Sequence, residues 1–185
     1  MKLLLEQGRV DPNESDNGGQ TSLGCASQNG HVGVVKILLG QINIKPDEPD
    51  QAGQTPLLDA ARYGHEEVVE LLLGRADVDP SRQDNDGRTP LWCAARGGHA
   101  GVVEILLRRS EVDPNQPDNE GETPLWCAAR NGYEGVVKIL VARGDVDPNK
   151  PANGQTPLSG AVEKGHLGVV KVLLERDDVD VNKVA

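Results

Sequence analysis

Thr21, Thr55, Thr89, Thr123 and Thr156 open five versions of one short passage, at intervals of 34, 34, 34 and 33 residues. A fixed period of about 20–50 residues specifies a stack of small units, each able to bury its apolar face only against a neighbour. The copies occupy the 185 residues from end to end and leave no segment for a second fold. The chain therefore reads as a single domain over 1–185, with a half repeat at 1–20 and helix pairs starting at 21, 55, 89, 123 and 156. Function must then lie on a surface.

The second copy shows how each unit is built. Thr55 is a suitable N-cap and Pro56 fits the first helical position, where its missing N–H would have had no partner. Gly64 can adopt the left-handed backbone that stops a helix. Leu57, Ala60 and Ala61 share one helical face, and the small Ala side chains allow close approach of a neighbouring helix. A second helix, Glu66 to Leu73, begins with carboxylates where the macrodipole favours them and carries Val69, Leu72 and Leu73 as its core stripe. From Asp77 to Gly87 the chain is dense in Asp, Asn, Pro and Gly, which makes a projecting turn or hairpin anchored by Val78. The one-residue change in period lies between Asp147 and Thr156, inside that loop.

Composition narrows the function. Phe is absent and only 2 Trp and 2 Tyr occur, so thin aliphatic layers must form the core. The formal charge of −10 disfavours a nucleic-acid backbone or an anionic membrane face as partner and suits a neutral or basic protein. Cys25, Cys93 and Cys127 hold equivalent motif positions. Stacked helices lie about 8–10 Å apart, whereas bridged cysteines need Cα atoms within about 7 Å, so reduced thiols are expected. The apolar run at Met1–Leu5 breaks at Glu6 before reaching signal-peptide length. No stretch approaches the roughly 20 apolar residues of a membrane span, and a soluble cytoplasmic protein is the expectation.

The passage Thr-Pro-Leu-x-x-Ala-Ala-x-x-Gly-His, followed by Val-Val-x-x-Leu-Leu and an Asp-x-x-Gly turn, resembles the ankyrin repeat. The resemblance covers essentially the whole chain and implies an all-α ankyrin-repeat solenoid of stacked helix-turn-helix units with protruding hairpin loops. The Trp, Tyr and Phe landmarks of a tetratricopeptide array are missing. Two departures stand out. The fourth motif residue, usually His in the family, is Gly24, Leu58, Trp92, Trp126 or Ser159, and the Gly-His step becomes Gly132-Tyr133 in the fourth copy. The Trp-Cys-Ala-Ala-Arg wording also resembles the highly regular ankyrin arrays of large fungal proteins.

No constellation favours catalysis. His31, His65, His99 and His166 recur once per unit, about 8–10 Å or more apart, too far for the ligands of one zinc ion. They read as hydrogen-bonding ties within the helix-turn-helix. Asp77, Asp79, Asp84 and Asp86 lack the fixed calcium-loop pattern and read as turn residues. Neither a metal nor another cofactor is expected, and no enzyme.

The resemblance implies a protein or peptide partner in a concave groove lined by first helices and flanked by hairpin tips. The groove residues are Leu58, Asp59, Arg62 and Tyr63; Trp92 and Arg96; Trp126, Arg130 and Asn131. The tips carry Gln51, Ala52 and Gln54; Asn85, Asp86 and Arg88; Asn119, Glu120 and Glu122. Trp92 and Trp126 either anchor a partner or stack on each other and on the next hairpin. Arg62, Arg96 and Arg130 form a ladder, broken by Glu163, that either pairs with hairpin carboxylates such as Asp86 or Glu120 or grips an acidic peptide. The alternatives are a structural spacer in a larger protein and an engineered, consensus-like array. Met1–Leu5 aligns with Val35–Leu39, so the chain reads as part of a longer array, monomeric with weak end-to-end association.

Overall fold

The computed structural model of the chain describes residues 11–182. Met1–Leu5, which aligns with Val35–Leu39, lies outside the described residues. Ten α-helices are present among them: α1 (Ser22–Gln28), α2 (Val32–Leu39), α3 (Pro56–Tyr63), α4 (Glu66–Leu73), α5 (Pro90–Gly97), α6 (Ala100–Leu107), α7 (Pro124–Asn131), α8 (Glu134–Val141), α9 (Pro157–Glu163) and α10 (Leu167–Leu174). No strand is formed among the described residues. Two isolated bridges, Ser15 with Thr21 and Ala152 with Gln155, close turns.

Each odd-numbered helix starts as its residues dictate. The Oγ1 atoms of Thr21, Thr55, Thr89, Thr123 and Thr156 accept the backbone N–H of the residue three positions on, at 3.1–3.2 Å. These bonds satisfy donors that the helix itself leaves open. Proline occupies the first turn of α3, α5, α7 and α9. The C-cap of α7 is Gly132 at φ +80°, which frees Tyr133 N–H to reach the Ala128 carbonyl at 3.0 Å and turn the chain into α8.

Odd-numbered helices pack on their odd-numbered neighbours to form an inner row, and even-numbered helices form an outer row. One apolar core runs between the rows, built in the second copy from Leu57, Ala60 and Ala61 against Val69, Leu72 and Leu73. Val78 is buried at the loop base, as its anchoring role requires. Successive units are alike, so the stack is a solenoid.

The hairpins are organised by aspartate. Oδ1 of Asp50, Asp84 and Asp118 accepts backbone N–H groups two and four residues on, at 2.8–3.0 Å. This is turn chemistry, and it occupies Oδ1 of each carboxylate.

Three ladders fasten one unit to the next. At the tips, Asn85 N–H donates to the Ala52 carbonyl and Asn119 N–H to Asp86, at 3.0 and 2.9 Å. At the loop bases, the Asn13, Asn115 and Asn149 amides each bond two backbone groups of the following loop. Along the outer row, Arg75, Arg143 and Arg176 donate to the Leu39, Leu107 and Val141 carbonyls at 3.0–3.1 Å, and Arg109 donates likewise to Leu73. These guanidiniums cap open helix C-termini of the preceding unit.

The histidines also work between units, which corrects the expectation that each ties its own helix pair. Nε2 of His65, His99 and His166 is 2.9–3.0 Å from the Gln28, Arg62 and Arg130 carbonyls, the C-terminal end of the preceding inner helix. Because a carbonyl only accepts, Nε2 carries the proton in each case.

Candidate functional site

The inner row has a floor and a rim. Leu58, Trp92, Cys93, Trp126, Cys127 and Ala152 form an apolar cluster separate from the main core. Trp92 and Trp126 are only 1% and 2% exposed. Their ring N–H groups donate to the backbone carbonyls of Glu122 and Gln155, both at 2.9 Å. Each indole thus fills the space between its helix and the next hairpin and satisfies its polar edge there. The sole stacked aromatic pair among the described residues is Tyr63 with His65, so the two indoles share a cluster without stacking ring on ring.

Five of the expected contact residues, Leu58, Asp59, Trp92, Glu122 and Trp126, are buried. Asp59 lies where other copies have cysteine or glycine. Burial pushes its carboxyl up to about 6, with the Asp50 carboxylate adding to the effect and the Arg62 guanidinium opposing it. The Glu122 carboxyl is also held above its ordinary value, by burial and then by Asp118. It accepts from Asn153 Nδ2 at 3.0 Å and from the Cys127 thiol at 3.7 Å. Burial pushes the Cys93 thiol up to about 12 and raises Cys127 further, with the Glu122 carboxylate contributing. Both thiols are therefore un-ionised and poor nucleophiles.

The surface itself comes from the remaining expected residues. Tyr63, Asn85, Asp86, Arg96, Asn119, Glu120 and Asn131 are exposed, and Arg62, Arg88 and Arg130 are partly so. Several are already engaged. Asn85 and Asn119 donate Nδ2 to the tip carbonyls of Gln51 and Asn85, which builds the hairpin ladder. Arg62 bonds Gln54 Oε1 and lies 3.4 Å from Asp84 Oδ2, while Arg88 pairs with Asp86 at 2.7 Å. Of the two alternatives for the Arg ladder, Arg62 follows the first, with the hairpin carboxylate Asp84 as its partner, while Asp86 serves Arg88.

Arg96 and Arg130 behave differently. The Arg96 guanidinium lies 5.4 Å from the Trp92 ring centroid and Arg130 5.1 Å from that of Trp126, each over an indole face. Arg88 approaches the Trp92 ring too, at 5.2 Å. A cation over an aromatic face is held by the ring quadrupole, which leaves its N–H edges free. The tryptophans therefore support the groove by positioning arginines. Both arginines, with Trp126, Asn131, Lys164 and His166, line a cavity of about 440 Å³ between α5, α7 and α9. Lys164 was not singled out from sequence, where Glu163 marks the break in the ladder. The signal lay one residue on, at the position equivalent to Asn131.

Among the described residues no group of three or more His, Cys, Asp and Glu is placed to hold a metal, and no helix is long and apolar enough to cross a membrane. The indole N–H groups of the floor are spent on hairpin carbonyls, and the Cys127 thiol that donates to the Glu122 carboxylate is held un-ionised.

A family model for ankyrin repeats in three copies matches residues 41–118, 76–152 and 110–185, and a second, for ankyrin repeats in many copies, matches residues 1–39. No curated protein matches the chain significantly.

Proposed function

The chain belongs to the ankyrin-repeat family, and from that premise we propose that it is a non-catalytic protein-interaction module that engages a partner along its concave inner face. Ankyrin repeats are generally protein–protein interaction modules. The observation that carries the reading here is the contrast between the two faces of the Trp92–Trp126 cluster. Beneath, the indoles are buried and bonded to hairpins; above, they hold Arg96 and Arg130 toward solvent. A spacer of uniform repeats would carry the same pair at these positions throughout, whereas Trp92-Cys93 and Trp126-Cys127 are alike and Leu58-Asp59 and Ser159-Gly160 on either side of them differ. Three cysteines, all free, fit a reducing compartment such as the cytoplasm.

Site-specific photo-crosslinking tests the concave-face reading. A photoreactive residue at Asn131, on the inner row, captures the partner from native extract, whereas one at Glu104, on the outer row, does not. Equal capture from both positions, or from neither, defeats the proposal.

A further inference from the structure

Two openings on the surface differ in how their charges are used. The outer cleft, about 550 Å³ between α2 and α4, is lined by Leu39 and Leu71 with Lys36, Glu67, Glu70 and Arg75. Its Lys36 pairs with Glu67 at 2.7 Å, and its Arg75 is committed to Asp77 and the Leu39 carbonyl. The inner cavity of about 440 Å³ is different. Among the described residues, the guanidiniums of Arg96 and Arg130 make no hydrogen bond or ion pair with protein, although the chain as a whole carries a formal charge of −10. Two cations without a direct ion-pair partner among the described residues, facing one opening on an acidic molecule, constitute a local departure from its overall charge.

We infer that this cavity binds a side-chain carboxylate from an acidic segment of a protein partner. The inference rests on the concave-face reading above and names the ligand chemistry of that face. Each guanidinium lies over an indole face, at 5.4 and 5.1 Å from the ring centroids, and its N–H fork, which matches a carboxylate, makes no bond to the described residues. The Arg130 guanidinium is held by the Trp126 face, and its backbone by the His166 ring bonded to its carbonyl at 3.0 Å. Pre-positioned side chains lose little rotamer freedom on binding. Charge favours a monoanion over a phosphate. Lys164 is already paired with Glu163 at 2.9 Å, and Glu163 also accepts from Gln155. The buried Glu122 carboxylate stands behind the floor, with its oxygens on Asn153 and Cys127. What remains is two guanidiniums in a field that these two carboxylates weaken, which suits one negative charge and disfavours two.

The test follows the arginine side-chain Nε–Hε signals of the ¹⁵N-labelled protein during titration with a blocked tetraglutamate peptide. Blocked tetralysine, acetate and inorganic phosphate at matched ionic strength serve as comparisons. Expected are saturable shifts at Arg96 and Arg130, no response at the ion-paired Arg75 and Arg143, and affinity weakened about tenfold or more by Arg96→Gln with Arg130→Gln. Shifts that fail to saturate, that spread to all arginines, that phosphate reproduces, or that survive the double substitution overturn the inference. The double variant should keep its fold, since both guanidiniums touch only indole faces and solvent. If it does not fold, the saturation and localisation of the wild-type shifts decide the question alone. Capture of a partner at Asn131 together with no tetraglutamate response leaves the concave-face reading standing and removes the carboxylate.

Discussion

The ring N–H of Trp126 donates to the backbone carbonyl of Gln155 across 29 residues of chain, at 2.9 Å, so the side chain with the strongest appearance of a binding anchor is bonded into the next hairpin. Trp126→Phe removes that donor and leaves the carbonyl without its partner, at a cost of about 1–2 kcal/mol. Trp126→Ala also opens a cavity and should cost about 3–5 kcal/mol. Urea unfolding followed by far-UV circular dichroism distinguishes these; a loss below the phenylalanine figure for the alanine variant contradicts a supporting role.

Tyr133 occupies the position at which His65, His99 and His166 bond the preceding inner helix. No such bond reaches the Arg96 carbonyl from Tyr133 among the described residues. Tyr133→His should restore it and raise stability by about 0.5–1.5 kcal/mol. An unchanged or lower urea midpoint counts against the inter-unit role assigned to the ring.

Two left-handed glycines separate backbone strain from crowding. A Cβ at Gly132 would lie 2.6 Å from His166 Nδ1, whereas one at Gly165 meets nothing within 4 Å. Both have positive φ, so Gly165→Ala should cost only the left-handed term of about 1–2 kcal/mol, and Gly132→Ala clearly more. Equal losses in thermal or urea midpoint refute the close packing of His166.

Asp59 makes stability depend on pH in a definite direction. Its folded-state carboxyl is raised to about 6 from an ordinary 3.8, mainly by burial. The folded state therefore holds the proton more tightly than the unfolded chain. The associated stability is complete below pH 3.8, is lost between about 3.8 and 6, and leaves a constant penalty above that window. Asp59→Asn should stabilise by roughly 2–3 kcal/mol at pH 7.5 and by little at pH 4. A difference between variant and parent that does not change with pH removes this account.

The thiols should divide into one and two. Cys25 is exposed, while Cys93 and Cys127 are buried and held un-ionised. An aromatic disulfide reagent should titrate one thiol rapidly in the folded protein and all three after unfolding. Rapid reaction of more than one folded-state thiol means that the floor beside the tryptophans opens readily.

Much of this was legible residue by residue. Thr55, Pro56 and Gly64 specify the ends of α3 through interactions spanning ten residues, and the Leu57–Ala60–Ala61 stripe identifies its buried side. Glu66 to Leu73 follows the same local logic. The side-chain partners were less legible. Arg75, Arg109, Arg143 and Arg176 recur with the period of the repeat, a visible signal, yet the carbonyls they cap lie 33–36 residues away. Trp92 and Arg96 looked like one contact surface, but the former lies beneath the latter.

By itself, the sequence determined the units, their helices and their order, because capping, helical periodicity and turn chemistry act within a few residues. Only the tertiary structure decided which groove groups face solvent. That depends on how the next hairpin covers each helix: it closes over Trp92 and Trp126, spends their polar edges, and leaves Arg96 and Arg130 over the indole faces without an ion-pair partner among the described residues.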